Sequence, residues 1–387
     1  MTTDLVTRAT AILEQLIAFD TTSRESNLAL ISHVEALLSG LGIASHRVMN
    51  AEGTKANLYA TLGPMVAGGV VLSGHTDVVP VDGQNWTSDP WTLTQRGERF
   101  YGRGTCDMKG FLALALAAAP DILAARLERP VHLAFSYDEE VGCLGAPSMI
   151  RELVRNLPAP MAVIVGEPTN MEVVTGHKGI SSWIVNVTGH EAHSSLTHLG
   201  VSANMVAVRL MQKLADIADQ LERQGDPQSG FVPPHATLTI GQIQGGTAVN
   251  ILAGKCSFVF DLRTPPGQNP EAIVAPFLAL AASEDARIKA QFGDAGVSVV
   301  RRSKTPCLVP DPDSPAEYLA RRLAGDNGPP RMVPYAAEAG QFQEAGFSTI
   351  ICGPGSIEQA HQPDEYLEIA QWVRGAGFIE RLIEALR

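Results

Sequence analysis

Paired cysteine is what the 387-residue chain lacks first: Cys106, Cys143, Cys256, Cys307 and Cys352 are scattered, odd in number and never spaced as CxxC. Neither a disulfide framework nor a thiolate zinc site is suggested, so any metal should be held by histidine and carboxylate. Long hydrophobic runs are missing too, the longest, residues 111–119, being too short to cross a bilayer and ending at Pro120. The opening residues, MTTDLVTRAT, contain no apolar signal core, and a cytoplasmic location is expected. Positive charge is scarce: 29 Lys plus Arg against 41 Asp plus Glu leave a net charge of -12, which argues against nucleic acid or an anionic membrane as partner. What is present, 45% hydrophobic and 18% charged residues, is an ordinary globular composition long enough for two cores.

The most informative stretch is residues 70–80, VVLSGHTDVVP. Its apolar, β-branched start reads as a buried strand that stops at Ser73 and Gly74 and delivers His75 and Asp77 at its end. Alternate residues of an extended chain point the same way, so the imidazole and the carboxylate can share one side, as a metal-binding histidine and an orienting carboxylate would. A strand-end histidine beside an ordinary turn aspartate fits the same residues.

Four later stretches add candidate ligands, two of them repeating the strand-then-acid layout. In YGRGTCDMKG, residues 101–110, Asp107 precedes the helical FLALALAAA, where a plain helix cap is the other reading. In HLAFSYDEEVGCLGA, Asp138, Glu139 and Glu140 end a strand. Adjacent carboxylates repel, and either an exposed acidic turn or a cation accounts for them. MAVIVGEPTN ends its strand on Gly166 and Glu167, and GPGSIEQAHQPDEYLE places His361 in a Gly/Pro-rich loop, before a helix expected to start near Asp364. Trp86 and Trp91 are expected to pack as a floor beneath the site. Apolar strands alternating with helices predict an α/β sheet whose strand ends meet at one crevice.

Between these stretches the pattern changes to strand, helix, strand, strand, helix, strand, the split βαβ order of ferredoxin-like domains. The expected organisation is a first domain over residues 1–175, an insert over 176–303 and a return to the first domain over 304–387. Within the insert, GHEAHSS presents His190 and His193, while Asn250 and Arg263 are either solvated polar residues or clamps for a substrate carboxylate.

Together, SGHTDVVP, YGRGTCDMKG, the DEE of YDEEVG, VGEPT, GHEAHSS and GPGSIEQAHQPDEYL resemble the M20 family of metallopeptidases, in family order, and the last resembles its acetylornithine deacetylase branch. The resemblance implies a zinc-peptidase-like mixed sheet flanked by helices, with an inserted ferredoxin-like lid and dimerisation domain. It implies two zinc ions per subunit, with cobalt as a substitute, bridged by Asp107. His75 and Glu167 would hold one ion, and Glu140 and His361 the other. Asp77 would orient His75 through its second ring nitrogen, Glu139 would be the general base, and His193 would reach the partner subunit's site in a homodimer. Asn250, Arg263 and Glu338 match substrate-gripping positions, although PYAAEAGQFQEAG lacks the hydroxyl that relatives often place beside the acid. The implied activity is deacetylation of N2-acetyl-L-ornithine in arginine biosynthesis. Alternatives are succinyl-diaminopimelate desuccinylase, a broader N-acyl-amino-acid hydrolase or dipeptidase, and an inactive binding protein on the same scaffold.

Overall fold

The computed structural model describes residues 2–387 and separates into two compact units, one formed by residues 2–176, Leu308–Met332 and Ala337–Arg387, the other by His177–Cys307 and Val333–Ala336.

The larger unit is built on an eight-stranded mixed sheet. Its centre is the strand Val70–His75, every residue of which is buried, as a near-continuous apolar run requires of a strand covered on both faces. This strand runs parallel to Val131–Ser136 on one side and to Ala162–Val165 on the other, and Thr349–Ile351 adds a fourth parallel strand beyond the latter. Ala56–Leu62 and Ser45–Met49 continue the sheet antiparallel. Four parallel strands therefore finish at the same edge, and residues 76–77, 137–140, 166–167 and 352 onward all leave the sheet there. Register fixes the relative heights, with His75 opposite Ser136 and Ser73 opposite Val165.

Alternation assigns the two faces. Val70, Leu72, Leu133, Phe135 and Ile164 join the main core with residues of the helices Thr2–Ile17, Leu28–Gly40, Lys109–Ala117, Pro315–Ala324 and Ile369–Ala385. Two glycines just ahead of strand-end acids and histidines allow the helix Lys109–Ala117 to lie against the sheet. A Cβ on Gly74 would meet Met108 Cε at 2.5 Å, and one on Gly166 would meet the Phe111 ring at 2.1 Å. Close approach, rather than an unusual φ, is what these positions demand.

A separate sheet of three short strands, Tyr366–Glu368, Arg99–Tyr101 and Thr94–Arg96, ties the segment after His361 to the segment before Asp107. The helix expected near Asp364 does not begin there: residues 366–368 pair as a strand and the helix starts at Ile369. Backbone pairing with Arg99–Tyr101 takes precedence over the local helix-start signal.

The smaller unit has the ferredoxin-like order: strand Gly179–Thr188, helix Ala203–Arg223, strands Thr237–Gly245 and Lys255–Thr264, helix Pro270–Lys289 and strand Gly296–Thr305. Its sheet is antiparallel, and Gly179–Thr188 alternates buried and more accessible residues along its length, as one covered face dictates. Trp183 stacks on Phe260 with ring centroids 5.0 Å apart, and Phe277 meets Phe260 edge-on at 5.2 Å. Ser202 and Asn269 cap the two helices through their side-chain oxygens.

Candidate metal centre

At the common strand edge, the carboxylate of Asp107 stands between two imidazoles. His75 Nε2 lies 3.0 Å from Asp107 Oδ1, and His361 Nε2 lies 3.2 Å from Oδ2. Glu167 Oε1 is 3.7 Å from His75 Nε2, and Glu140 Oε2 is 3.0 Å from His361 Nε2. The ligand atoms of His75, Asp107 and Glu140 fall within 4.8 Å of one another, as do those of His75, Glu139 and Glu167. The structure thus brings together His75, Asp107, Glu140, Glu167 and His361.

This set is electrostatically costly by itself. Burial pushes Glu139 up to about 8 and Glu140 up to about 7, and raises Glu167 well above the carboxylate range, because each anion is desolvated among others. Asp107 goes the other way, its burial outweighed by hydrogen bonds from His361 and His75 that hold it ionised. His361 is raised to about 11 by its contacts with Asp107 and Glu140; for His75, burial is outweighed by Asp107 and the surrounding acids, and it too is raised. Glu140 Oε1 and Glu167 Oε1 are buried without a hydrogen-bond partner. Imidazole and carboxylate donors without thiolate, excess buried negative charge and two unpartnered oxygens fit divalent cations such as zinc or cobalt.

Asp77 is placed differently from expectation. His75 Nδ1 is 2.9 Å from the backbone carbonyl of Asp77 and 3.7 Å from its carboxylate, too far for a hydrogen bond. The carbonyl orients the ring, because the turn after the strand folds the backbone of residue 77 under the imidazole. The carboxylate instead accepts the backbone N–H of Glu139 at 3.1 Å, that of Glu140 at 3.2 Å and the Ser23 hydroxyl at 2.6 Å. Glu139 Oε1 takes a further hydrogen bond from the Cys143 thiol at 3.1 Å.

Glu338 also departs from its expected place. It is 1% exposed, and its two carboxylate oxygens accept the hydroxyls of Ser73 and Ser136, each at 2.6 Å. It braces two central strands from beneath, so its oxygens are committed to the scaffold rather than to a substrate.

In the smaller unit, His193 is exposed, with Nδ1 2.8 Å from Ser195 Oγ. It bridges to Ile251, and the backbone of Asn250 accepts from Ser194, so His193 and Asn250 are neighbours. Arg263 lies near the far end of the strand Lys255–Thr264, paired with Asp261 at 3.2 Å. At about 3.3 Å per residue, it is roughly 25 Å from the end next to Asn250.

Sequence reading missed Arg103 and Glu365, both buried, and Gln84. The carboxylate of Glu365 accepts four hydrogen bonds, from the Arg103 guanidinium, Gly104 N, Cys106 N and Asp107 N. Arg103 lies over the Trp86 ring at 5.0 Å and Lys109 over the Trp91 ring at 5.8 Å, so each tryptophan packs against a buried cation rather than against the metal-centre side chains. The available signal was the acid four residues after His361, in a motif already singled out for the histidine.

A model of peptidase family M20/M25/M40 matches residues 71–385. The chain belongs to this family. An acetylornithine deacetylase from Myxococcus xanthus is 36% identical over 378 residues, covering 96% of each chain, and one from Proteus mirabilis is 35% identical over 365 residues, covering 91% of this chain and 88% of the other. Among solved structures, an M20 family metallo-carboxypeptidase from Sulfolobus solfataricus matches with a TM-score of 0.75 and 18% identity, over 97% of this chain and 98% of that one. A dinuclear metal-binding M20 peptidase from Bacillus subtilis gives a TM-score of 0.65 and 16% identity, over 99% and 98%. M20 family members are metal-dependent, and among the described residues of this one no helix is long and apolar enough to cross a membrane.

Proposed function

We propose that the chain is a dinuclear metal-dependent amide hydrolase that releases acetate and L-ornithine from N2-acetyl-L-ornithine, in the cytoplasm and in service of arginine biosynthesis. One observation carries the reading: Asp107 presents one oxygen to His75 and the other to His361, with Glu167 beside the first imidazole and Glu140 beside the second. The near full-length likeness to acetylornithine deacetylases supports the substrate.

In this reading His75, Glu167 and Asp107 hold one zinc ion, and Glu140, His361 and Asp107 the other. The pair of cations supplies Lewis acidity toward an amide carbonyl and acidifies water. The residues of the chain do the rest. Glu139 accepts a proton from water and delivers it to the departing amine nitrogen, from a backbone that Asp77 fixes. Arg263 and Asn250 grip the substrate carboxylate, and His193 donates to the oxyanion that develops on the scissile carbonyl.

His193 and Asn250 lie beyond the end of the sheet opposite to Arg263, so far from it that a single copy of the smaller unit cannot direct all three at one small substrate. A homodimer resolves this by letting a partner supply His193 together with its neighbour Asn250. The strand Thr237–Gly245 ends its sheet unpaired on one side, and Ile243, Val249 and Ile251 are 60%, 100% and 41% exposed, an edge and an apolar patch suited to a second copy.

The test is a substrate panel run with metal analysis. The zinc- or cobalt-loaded chain should show its highest kcat/KM on N2-acetyl-L-ornithine and retain two ions per chain. Preference for N-succinyl-diaminopimelate, another N-acyl amino acid or a dipeptide would move the assignment to that substrate. Less than one ion per chain without turnover would favour a binding protein.

A further inference from the structure

Glu365 is 1% exposed and comes four residues after His361, yet none of the chemistry above uses it. Its Oε1 accepts Cys106 N at 2.8 Å and Asp107 N at 3.0 Å; its Oε2 accepts Arg103 Nη1 at 2.7 Å and Gly104 N at 3.0 Å. One carboxylate thus gathers the N–H groups of Gly104, Cys106 and Asp107 from one loop and ends on the backbone of the residue that stands between the imidazoles. The contact continues in the other direction. Arg103 Nη2 donates to Gln84 Oε1 at 2.6 Å, and Gln84 Nε2 donates to the carbonyl of His361 at 3.0 Å. That carbonyl belongs to a residue with φ 62°, a left-handed conformation that a histidine adopts only when its surroundings hold it. Arg103 is buried against Trp86, and its two terminal nitrogens are committed to Glu365, Gln84 and, at 3.4 Å, the carbonyl of Gln362.

We propose that Glu365 is a positioning residue for the metal centre, fixing Asp107 directly and His361 through Arg103 and Gln84, so that the two segments carrying these ligands keep one spacing. The proposal rests on the reading of His75, Asp107, Glu140, Glu167 and His361 as metal ligands. A single buried anion sets both segments because its four donors come from a fixed array; no covalent or protonation step is involved.

Glu365→Gln tests it. The carboxamide keeps size and shape, but its NH2 end must face either Cys106 N and Asp107 N or Gly104 N and the guanidinium, donor against donor, whichever way it turns. The full chain is stripped of metal and titrated with zinc by calorimetry, the cobalt-loaded form is examined by visible absorption, and melting is followed alongside. Expected for Glu365→Gln is a loss of roughly 10–100-fold in affinity for both ions, with an altered cobalt spectrum. Arg103→Lys keeps a charge for Glu365 but cannot also hold Gln84, and should weaken one ion of the two. A purely structural role would lower the melting temperature and leave zinc affinities and cobalt spectrum as in the parent, which overturns the proposal. If Glu365→Gln does not fold, Arg103→Lys decides alone, with loss confined to one ion in favour and parent-like binding against. If the parent chain itself takes up no zinc, the metal-centre reading falls and the proposal with it, an outcome distinct from parent binding matched by both variants.

Discussion

Asp77 Oδ1 accepts the backbone N–H of Glu139 at 3.1 Å, while its other oxygen takes that of Glu140 at 3.2 Å. One carboxylate therefore sets the backbone from which two adjacent glutamates diverge, one assigned as the proton carrier and the other as a metal ligand. In Asp77→Asn the amide end must oppose one of these N–H groups. The expected outcome is a fall in kcat of roughly 10–100-fold with a much smaller change in KM, because the substrate-gripping residues lie elsewhere. Steady-state kinetics on N2-acetyl-L-ornithine checks it; an unchanged kcat would show that the backbone of residues 139–140 holds its course without Asp77.

Glu139 and Glu140 are neighbours, and Glu139 itself shares a 4.8 Å cluster with His75 and Glu167, so their roles need separating. Glu139→Ala removes a proton carrier and no assigned ligand. Turnover should fall by roughly 100- to 10,000-fold while both metal ions stay bound. Glu140→Ala should lose an ion. Metal analysis of the two purified variants decides, and zinc loss in Glu139→Ala would mean that the two assignments are reversed.

The positions of these residues were legible for a physical reason: in a parallel sheet, every strand that ends in an acid or histidine ends at the same edge, so His75, Glu140, Glu167 and the segment toward His361 had to come close. The strands and helices of the smaller unit were legible because the alternation of Gly179–Thr188 and the periodicity of Ala203–Arg223 differ so plainly in period, whereas its extension to Cys307 and its segment Val333–Ala336 were not. What stayed hidden depends on which atom of a residue is used. Nothing in HTD says that the carbonyl of Asp77, not its carboxylate, meets His75, and nothing in YAAEAG says that Glu338 turns inward to Ser73 and Ser136. Glu365 was hidden behind a helix-start signal, and the strands beside it, three residues each, are too short to show a period.

His132 offers a measure of stability rather than activity. It is fully buried in the strand Val131–Ser136, within 2.9 Å of Thr61 Oγ1, and burial lowers its pKa to about 4. Between the ordinary value near 6.5 and about 4, the unfolded chain binds a proton that the folded chain refuses. The contribution of His132 to stability is therefore complete above about pH 6.5 and is lost as the pH falls toward 4, by about 3 kcal/mol in all. His132→Gln can still bond Thr61 but does not titrate. Denaturant unfolding of both proteins at pH 7 and pH 4.5 should show the variant losing less stability on acidification; the carboxylates of the metal centre titrate in both and cancel in the comparison. Parallel curves would mean that His132 is protonated in the folded chain.

The separation of His193 from Arg263 gives the last expectation. If His193 serves the partner's substrate, a His193→Ala chain and a Glu139→Ala chain are each inactive alone, yet a mixed dimer contains one site with both residues intact. Random pairing makes about half of the dimers mixed, each with one restored site of two, so about a quarter of parental activity should return after the two inactive proteins are unfolded together and refolded. Mixing without subunit exchange should return nothing, which separates true complementation from residual activity in either variant. If refolded mixtures form dimers that stay inactive, His193 acts within its own chain or not at all, and the spacing from Arg263 must be closed by movement of the smaller unit's loops instead of by a second copy.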